Sequence, residues 1–218
     1  MREGGRIRDT RAMRRLVIAG VVALAALLVA GCGGKPRAAP LPAGTTILAL
    51  GDSLTYGTGA TPETSYPAFL AAATGWTVVN GGVPGDTAQQ GCERMPALVA
   101  QHQPALILVF LGGNDILRRR SASAITEGLA ACVHSAQADG KPLVLLAVPS
   151  FGITGFDDVP LFAEFAEGRK IPWLSPGLGK LLRDDALRDD AIHLNGDGYR
   201  ALAANVAREL RRLGYLAQ

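Results

Sequence analysis

The sequence is short of several things, and each shortage removes a class of function. Only three cysteines and three histidines occur in 218 residues, and none of them falls in a metal-ligand spacing, so no resident metal or other cofactor is expected. Internal repeats are missing, which removes solenoids and propellers. The longest apolar run, Leu16 to Ala30, has fifteen residues, against the about 20 that a membrane-spanning helix needs. A basic surplus is missing as well once the N-terminus is set aside. The first 31 residues hold six of the 22 Lys and Arg and two of the 19 Asp and Glu, so they carry +4, the remainder carries −1, and the formal total of +3 comes from the N-terminus. No nucleic-acid footprint follows from that balance. Arg118-Arg119-Arg120 is the one basic cluster. It reads first as a solvated loop face and second as a contact for acidic head groups. At this length and 48% hydrophobic content one core is expected, not two.

The N-terminus reads as a leader. Arg2, Arg6, Arg8, Arg11, Arg14 and Arg15 precede the apolar run, the charge-then-apolar order of an export signal. Met13-Arg14-Arg15 is by itself a sufficient positive start, so translation from Met1 and from Met13 are both compatible with this segment. The run ends in Leu28-Val29-Ala30-Gly31-Cys32, which resembles the lipobox of bacterial lipoproteins. That resemblance implies residues 1–31 as signal peptide, a lipid on Cys32, a membrane anchor and an exported protein facing the periplasm or cell exterior. Residues 33–44 are rich in Pro and Gly and are expected to be a tether of roughly 35–40 Å if extended.

In an oxidising compartment Cys92 and Cys132 have two readings. Both sit on apolar helix faces, Cys92 with Met95 and Val99, Cys132 with Ile125, Leu129 and Val133. If the helices are neighbours a disulfide closes a loop of about 40 residues, worth roughly 4 kcal/mol. Two separate buried thiols is the equal alternative.

From residue 45 short apolar runs alternate with helical patterns. Strands are predicted at 45–50, 76–80, 105–111, 142–148 and, more weakly, 171–174. Helices are predicted near 64–74, 86–102, 121–138, 160–168 and 196–213. Asp86-Thr87-Ala88-Gln89 reads as a capping box, and Asn195 as the cap of the last helix. Alternating β and α elements with fully apolar strands predict a parallel sheet covered on both faces, with ligands beyond the carboxyl ends of the strands.

Four segments bring chemistry to that edge. Gly51-Asp52-Ser53-Leu54-Thr55 presents a serine after the first strand, and Gly85 follows the second. Gly112-Gly113-Asn114-Asp115 follows the third, and Asp190-Ala191-Ile192-His193 follows the last. A serine hydroxyl needs a base to become a nucleophile, the imidazole needs an acid to fix its tautomer, and the oxyanion needs donors already in place. The set therefore predicts acyl transfer. Ser53 attacks, His193 is base then acid, and Asp190 orients it. The N–H groups of Ser53 and Gly85 and the Asn114 amide hold the oxyanion. Asp189 is the alternative orienting acid, disfavoured by its offset from His193. His102 and His134 read as helix-end or surface residues, Asp52, Asp86 and Asp115 as turn and cap residues, and Trp76 and Trp173 as core.

Gly-Asp-Ser-Leu, a following Gly, Gly-x-Asn-Asp and Asp-x-x-His, in order over about 140 residues, resemble the GDSL or SGNH hydrolases. Within them Asn80 to Thr87, Gln89-Gln90-Gly91, Leu98 to Pro104 and Leu111 to Arg118 are most similar to the periplasmic acyl thioesterase, lysophospholipase and arylesterase group. The resemblance implies a three-layer α/β/α flavodoxin-like domain over 45–218, its five-stranded parallel sheet in order 2-1-3-4-5. It carries the catalytic roles onto Ser53, Asp190, His193, Gly85 and Asn114. The sequence departs from the family pattern at Leu194, where proline often follows the histidine, and in the glycine-rich, acidic segment 150–167. The expectation is a monomeric esterase acting on small-molecule or single-chain lipid esters. A carbohydrate O-acetyl esterase and a non-catalytic binding lipoprotein are the alternatives.

Overall fold

In the computed structural model residues 38–151 and 155–217 are described. The leader, Cys32 and the first part of the expected tether lie outside them. The strands are β1 (Thr46–Gly51), β2 (Thr77–Gly82), β3 (Leu106–Phe110), β4 (Leu143–Leu146) and β5 (Trp173–Leu174), apolar throughout in β3 and β4 and mixed in β2. All pair in parallel in the order β2-β1-β3-β4-β5. Ile47 to Leu50 and Leu106 to Phe110 are buried, as strands covered on both faces must be. The central register sets Leu48 beside Val79 on one side and Ile107 on the other. This is the expected fold and strand order.

The helices are α1 (Ser53–Tyr56), α2 (Tyr66–Thr74), α3 (Ala88–His102), α4 (Gly113–Leu117), α5 (Ala122–Ala138), α6 (Pro160–Gly168), α7 (Leu178–Leu182) and α8 (Gly196–Leu213). α2 packs on α8, and α3 on α5. A Cβ on Gly128 of α5 would lie 2.6 Å from the backbone N of Gln89 in α3, so only glycine permits that approach. Beside it Cys92 and Cys132 form a disulfide, which decides between the two readings of these residues.

Three expectations need correction. Residues 38–44 are part of the body. Ala38 and Leu41 donate to the carbonyls of Leu213 and Tyr215, Gly44 donates to Gly75, and the Trp76 indole donates to Leu41. Leu41 also packs against the core, giving a proline-rich stretch an apolar contact that composition does not reveal. The capping box is one residue later than expected, between Thr87 and Gln90, because Asp86 is held elsewhere. Trp173 is only half-buried, at the sheet's edge, whereas Trp76 is core.

The chain changes direction between β1 and β3. β2 lies to one side of β1, and every later strand lies to the other. Ser53 and Asn114 follow those two strands and so flank the switch point. Ala38, the first described residue, meets the last turn of α8.

Candidate active site

β1 ends in a turn that allows no side chain at Gly51. A Cβ there would lie 1.9 Å from Thr55 Oγ1 and 2.8 Å from the Phe110 carbonyl. Asp52 then caps the one-turn helix α1 by accepting from the Leu54 N–H at 3.0 Å. Ser53 is the first residue of that helix, and its hydroxyl stands 2.9 Å from His193 Nε2. The other ring nitrogen, Nδ1, is 2.8 Å from Asp190 Oδ2. Asp190 Oδ1 accepts from the N–H groups of Ile192 and His193, each at 2.8 Å, so the loop is wound round the carboxylate.

Burial pushes the Asp190 carboxyl up, but the hydrogen bonds from His193 and the two N–H groups outweigh it and hold the group below its ordinary value. It stays ionised to orient an imidazolium. Asp189 does not compete for the imidazole; its N–H donates to the His193 carbonyl at 3.0 Å. Leu194, directly after His193, is fully buried, so it anchors the loop through apolar packing.

Gly85 sits in the loop between β2 and α3 at φ +86°, a left-handed conformation that glycine adopts without cost. Among the described residues no hydrogen bond uses the N–H of Gly85 or of Ser53. The Asn114 amide donates to the Asp86 carbonyl at 3.0 Å and to Asp52 Oδ2 at 3.3 Å. The second contact is the longer, and is the one an oxyanion would compete for. Asp52 is itself buried, and desolvation raises its carboxyl to about 7; the Leu54 N–H and the nearby His193 oppose the rise.

Three further residues shape the site: Asp115 is one of the expected turn and cap residues, whereas the sequence marks neither Arg94 nor Arg118 for the part it takes. Asp115 Oδ2 accepts from the Ala88 N–H at 2.7 Å, tying the start of α3 to α4. Arg94, on α3, grips Asp86. Arg118 donates to the Gly85 carbonyl at 2.9 Å, which takes one member of the basic cluster into the rim of the site. His134 is exposed and His102 half-buried in the last turn of α3, both apart from the triad. The cleft over Ser53 and His193 has Leu54, Leu117, Phe151 and Ile192 as its apolar lining. No group of three or more acidic, histidine or cysteine side chains among the described residues is placed to hold a metal.

A serine, an imidazole and a carboxylate in hydrogen-bonded series, beside N–H donors at a helix start, form an arrangement able to add a hydroxyl to a carbonyl and stabilise the resulting oxyanion. The chain is similar to two curated proteins across most of both partners. It is 31% identical to esterase TesA of Pseudomonas aeruginosa over 182 residues, 77% of this chain and 89% of that protein. It is 32% identical to thioesterase 1/protease 1/lysophospholipase L1 of Escherichia coli K12 over 180 residues, 78% and 86% of the two chains. The crystal structure of TesA superposes with a TM-score of 0.66 at 27% identity, covering 78% of this chain and 99% of that one. The psychrotrophic esterase EstA of Pseudoalteromonas, at 22% identity and a TM-score of 0.69, shares the fold. The profile of the GDSL-like lipase/acylhydrolase family matches residues 49–201, a span holding Ser53, Gly85, Asn114, Asp190 and His193, and the chain belongs to that family.

Proposed function

We propose that the protein is a serine esterase or thioesterase that cleaves small or single-chain acyl esters through an acyl-enzyme. The observation that carries this is the continuous series from Asp190 through His193 to Ser53, at 2.8 and 2.9 Å. Ser53 Oγ adds to the ester carbonyl carbon as His193 Nε2 takes the hydroxyl proton. The N–H groups of Ser53 and Gly85 and the Asn114 amide receive the oxyanion. Collapse breaks the bond from the carbonyl carbon to the leaving oxygen or sulfur, to which His193 returns the proton. Water then repeats the sequence on the Ser53 ester and releases the acid.

The apolar wall of the cleft is short, made by Leu54, Leu117, Phe151 and Ile192, and Leu117 is itself exposed, which favours short acyl groups or a chain partly in solvent. The same short apolar wall supports a second reading, an O-acetyl esterase of envelope carbohydrate. The protein should hydrolyse p-nitrophenyl acetate and butyrate, and Ser53→Ala should remove that activity. Equal inertness of both proteins would leave a binding lipoprotein as the reading. Rates on acetyl, octanoyl and thioester substrates separate the two enzyme readings.

The leader and Cys32 support export and lipid anchoring. Residues 38–44 dock on the body and so do not act as a tether. Cys32→Ala should move the protein out of the membrane fraction; unchanged partitioning contradicts the anchor.

A further inference from the structure

Arg94 lies nine residues from Gly85 in sequence and touches neither the triad nor the cleft lining, yet it holds together the pieces of chain that form the oxyanion site. Its Nε donates to Asp86 Oδ2 at 2.9 Å, and Nη2 stands 2.7 Å from the same oxygen. Nη2 also donates to the carbonyl of Gly81 at 3.1 Å and that of Gly51 at 3.4 Å. One guanidinium thus bridges the carboxyl ends of β1 and β2 and the residue after Gly85. The planar fork of arginine suits such a multiple contact, and a lysine point charge reproduces only part of it.

These contacts lead to the donors. Asp86 uses its backbone carbonyl to accept the Asn114 amide at 3.0 Å, and its N–H donates to the Val83 carbonyl, closing the turn that contains Gly85. Val83 in turn donates to the Gly51 carbonyl, the same oxygen that Arg94 reaches. Displacing Asp86 therefore moves both the Gly85 N–H and the Asn114 amide, two of the three proposed donors. The Asp86 side chain is 13% exposed and that of Arg94 31%, so the pair is shielded enough to hold a fixed geometry. Asp86 also sits just before the N-terminus of α3, where a carboxylate is favoured by the helix dipole.

We infer that Arg94 is a positioning residue of the oxyanion site: by clamping Asp86 to the ends of β1 and β2 it sets where the Gly85 N–H and the Asn114 amide point. This rests on the reading of Gly85 and Asn114 as oxyanion donors. A misplacement of about 1 Å can cost roughly 100-fold in rate, so Arg94→Ala is expected to lower kcat about 10- to 100-fold. KM should stay within about twofold, because the oxyanion exists only beyond the ground state.

The test is steady-state hydrolysis of p-nitrophenyl butyrate by wild type, Arg94→Ala, Arg94→Lys and Asp86→Asn. Wild type active and Ser53→Ala inert would first establish the reading on which the inference rests; a failure there is a failure of that reading. The expected result is a loss confined to kcat in Arg94→Ala, partial recovery in Arg94→Lys, and recovery of the alanine variant by added guanidinium ion. The double variant Arg94→Ala, Asp86→Asn should be no slower than the slower single variant, since both act through one loop. If Arg94→Ala does not fold, Arg94→Lys and Asp86→Asn carry the same comparison. A folded Arg94→Ala with kcat within twofold of wild type overturns the inference. So does a loss carried by KM, or a kcat loss that neither lysine nor guanidinium recovers.

Discussion

Replacing Asn114 by alanine separates the catalytic contribution of one side chain from its structural one. The Asn114 amide donates to the Asp86 carbonyl at 3.0 Å and to Oδ2 of the buried Asp52 carboxyl group at 3.3 Å. As an oxyanion donor its removal should raise the barrier by about 3–4 kcal/mol, a fall in kcat of roughly 10²–10³ with KM nearly unchanged. As the partner of Asp52 its removal strands a buried oxygen, at about 1–3 kcal/mol of folding stability. For a domain of this size each kcal/mol lowers Tm by about 2–4 °C. The two effects appear in different assays: kcat for p-nitrophenyl butyrate in one, thermal unfolding by circular dichroism in the other. A folded Asn114→Ala enzyme with kcat within fivefold of wild type would refute the assignment of this amide to the oxyanion. A kcat loss matched by a rise in KM would refute it too.

Two further outcomes follow from the same geometry. Reducing the Cys92–Cys132 disulfide, or replacing both residues by alanine, should cost about 4 kcal/mol for a loop of 40 residues, seen as a reductant-sensitive Tm that the double variant lacks. The Asp52 carboxyl, raised by burial to about 7 from 3.8, holds a proton in the folded state that the unfolded chain has already lost. Its contribution to stability is therefore full below the unfolded value and declines as pH rises to about 7, by on the order of 4 kcal/mol for this group alone. Asp52→Asn should flatten that part of the stability-versus-pH curve between pH 4.5 and 7.5. An unchanged slope, measured by urea unfolding, would contradict it.

The parts of the fold that could be read from sequence are those whose signal is local and long enough to repeat. Ile47 to Leu50 and Leu106 to Phe110 are unbroken apolar runs, and α8 keeps Tyr199, Leu202, Val206 and Leu210 on one buried face. The triad was legible because each member lies beside a strand end or in a compact Asp-x-x-His turn. The short helices α1, α4 and α7, of four or five residues, are too brief for any periodicity to appear. The docking of 38–44 depends on the Trp76 indole meeting a carbonyl 35 residues away, which no local pattern contains. Arg94 looks like any charged residue on a half-exposed helix until β1 and β2 bring two carbonyls to it beside Asp86. The position of the capping box follows from the same contact, since Asp86 and Thr87 are both good caps and the engagement of Asp86 by Arg94 leaves the role to Thr87.

The claim on which the rest depends is that Ser53 is the nucleophile. The direct measurement is peptide mass spectrometry after exposure to diethyl p-nitrophenyl phosphate, which transfers its diethylphosphoryl group to an activated serine and releases p-nitrophenolate. The account predicts one adduct per chain, on the peptide containing Ser53, formed in step with loss of esterase activity and absent from Ser53→Ala. Loss of activity with the adduct on another residue, or full activity in a protein modified at Ser53, would contradict it.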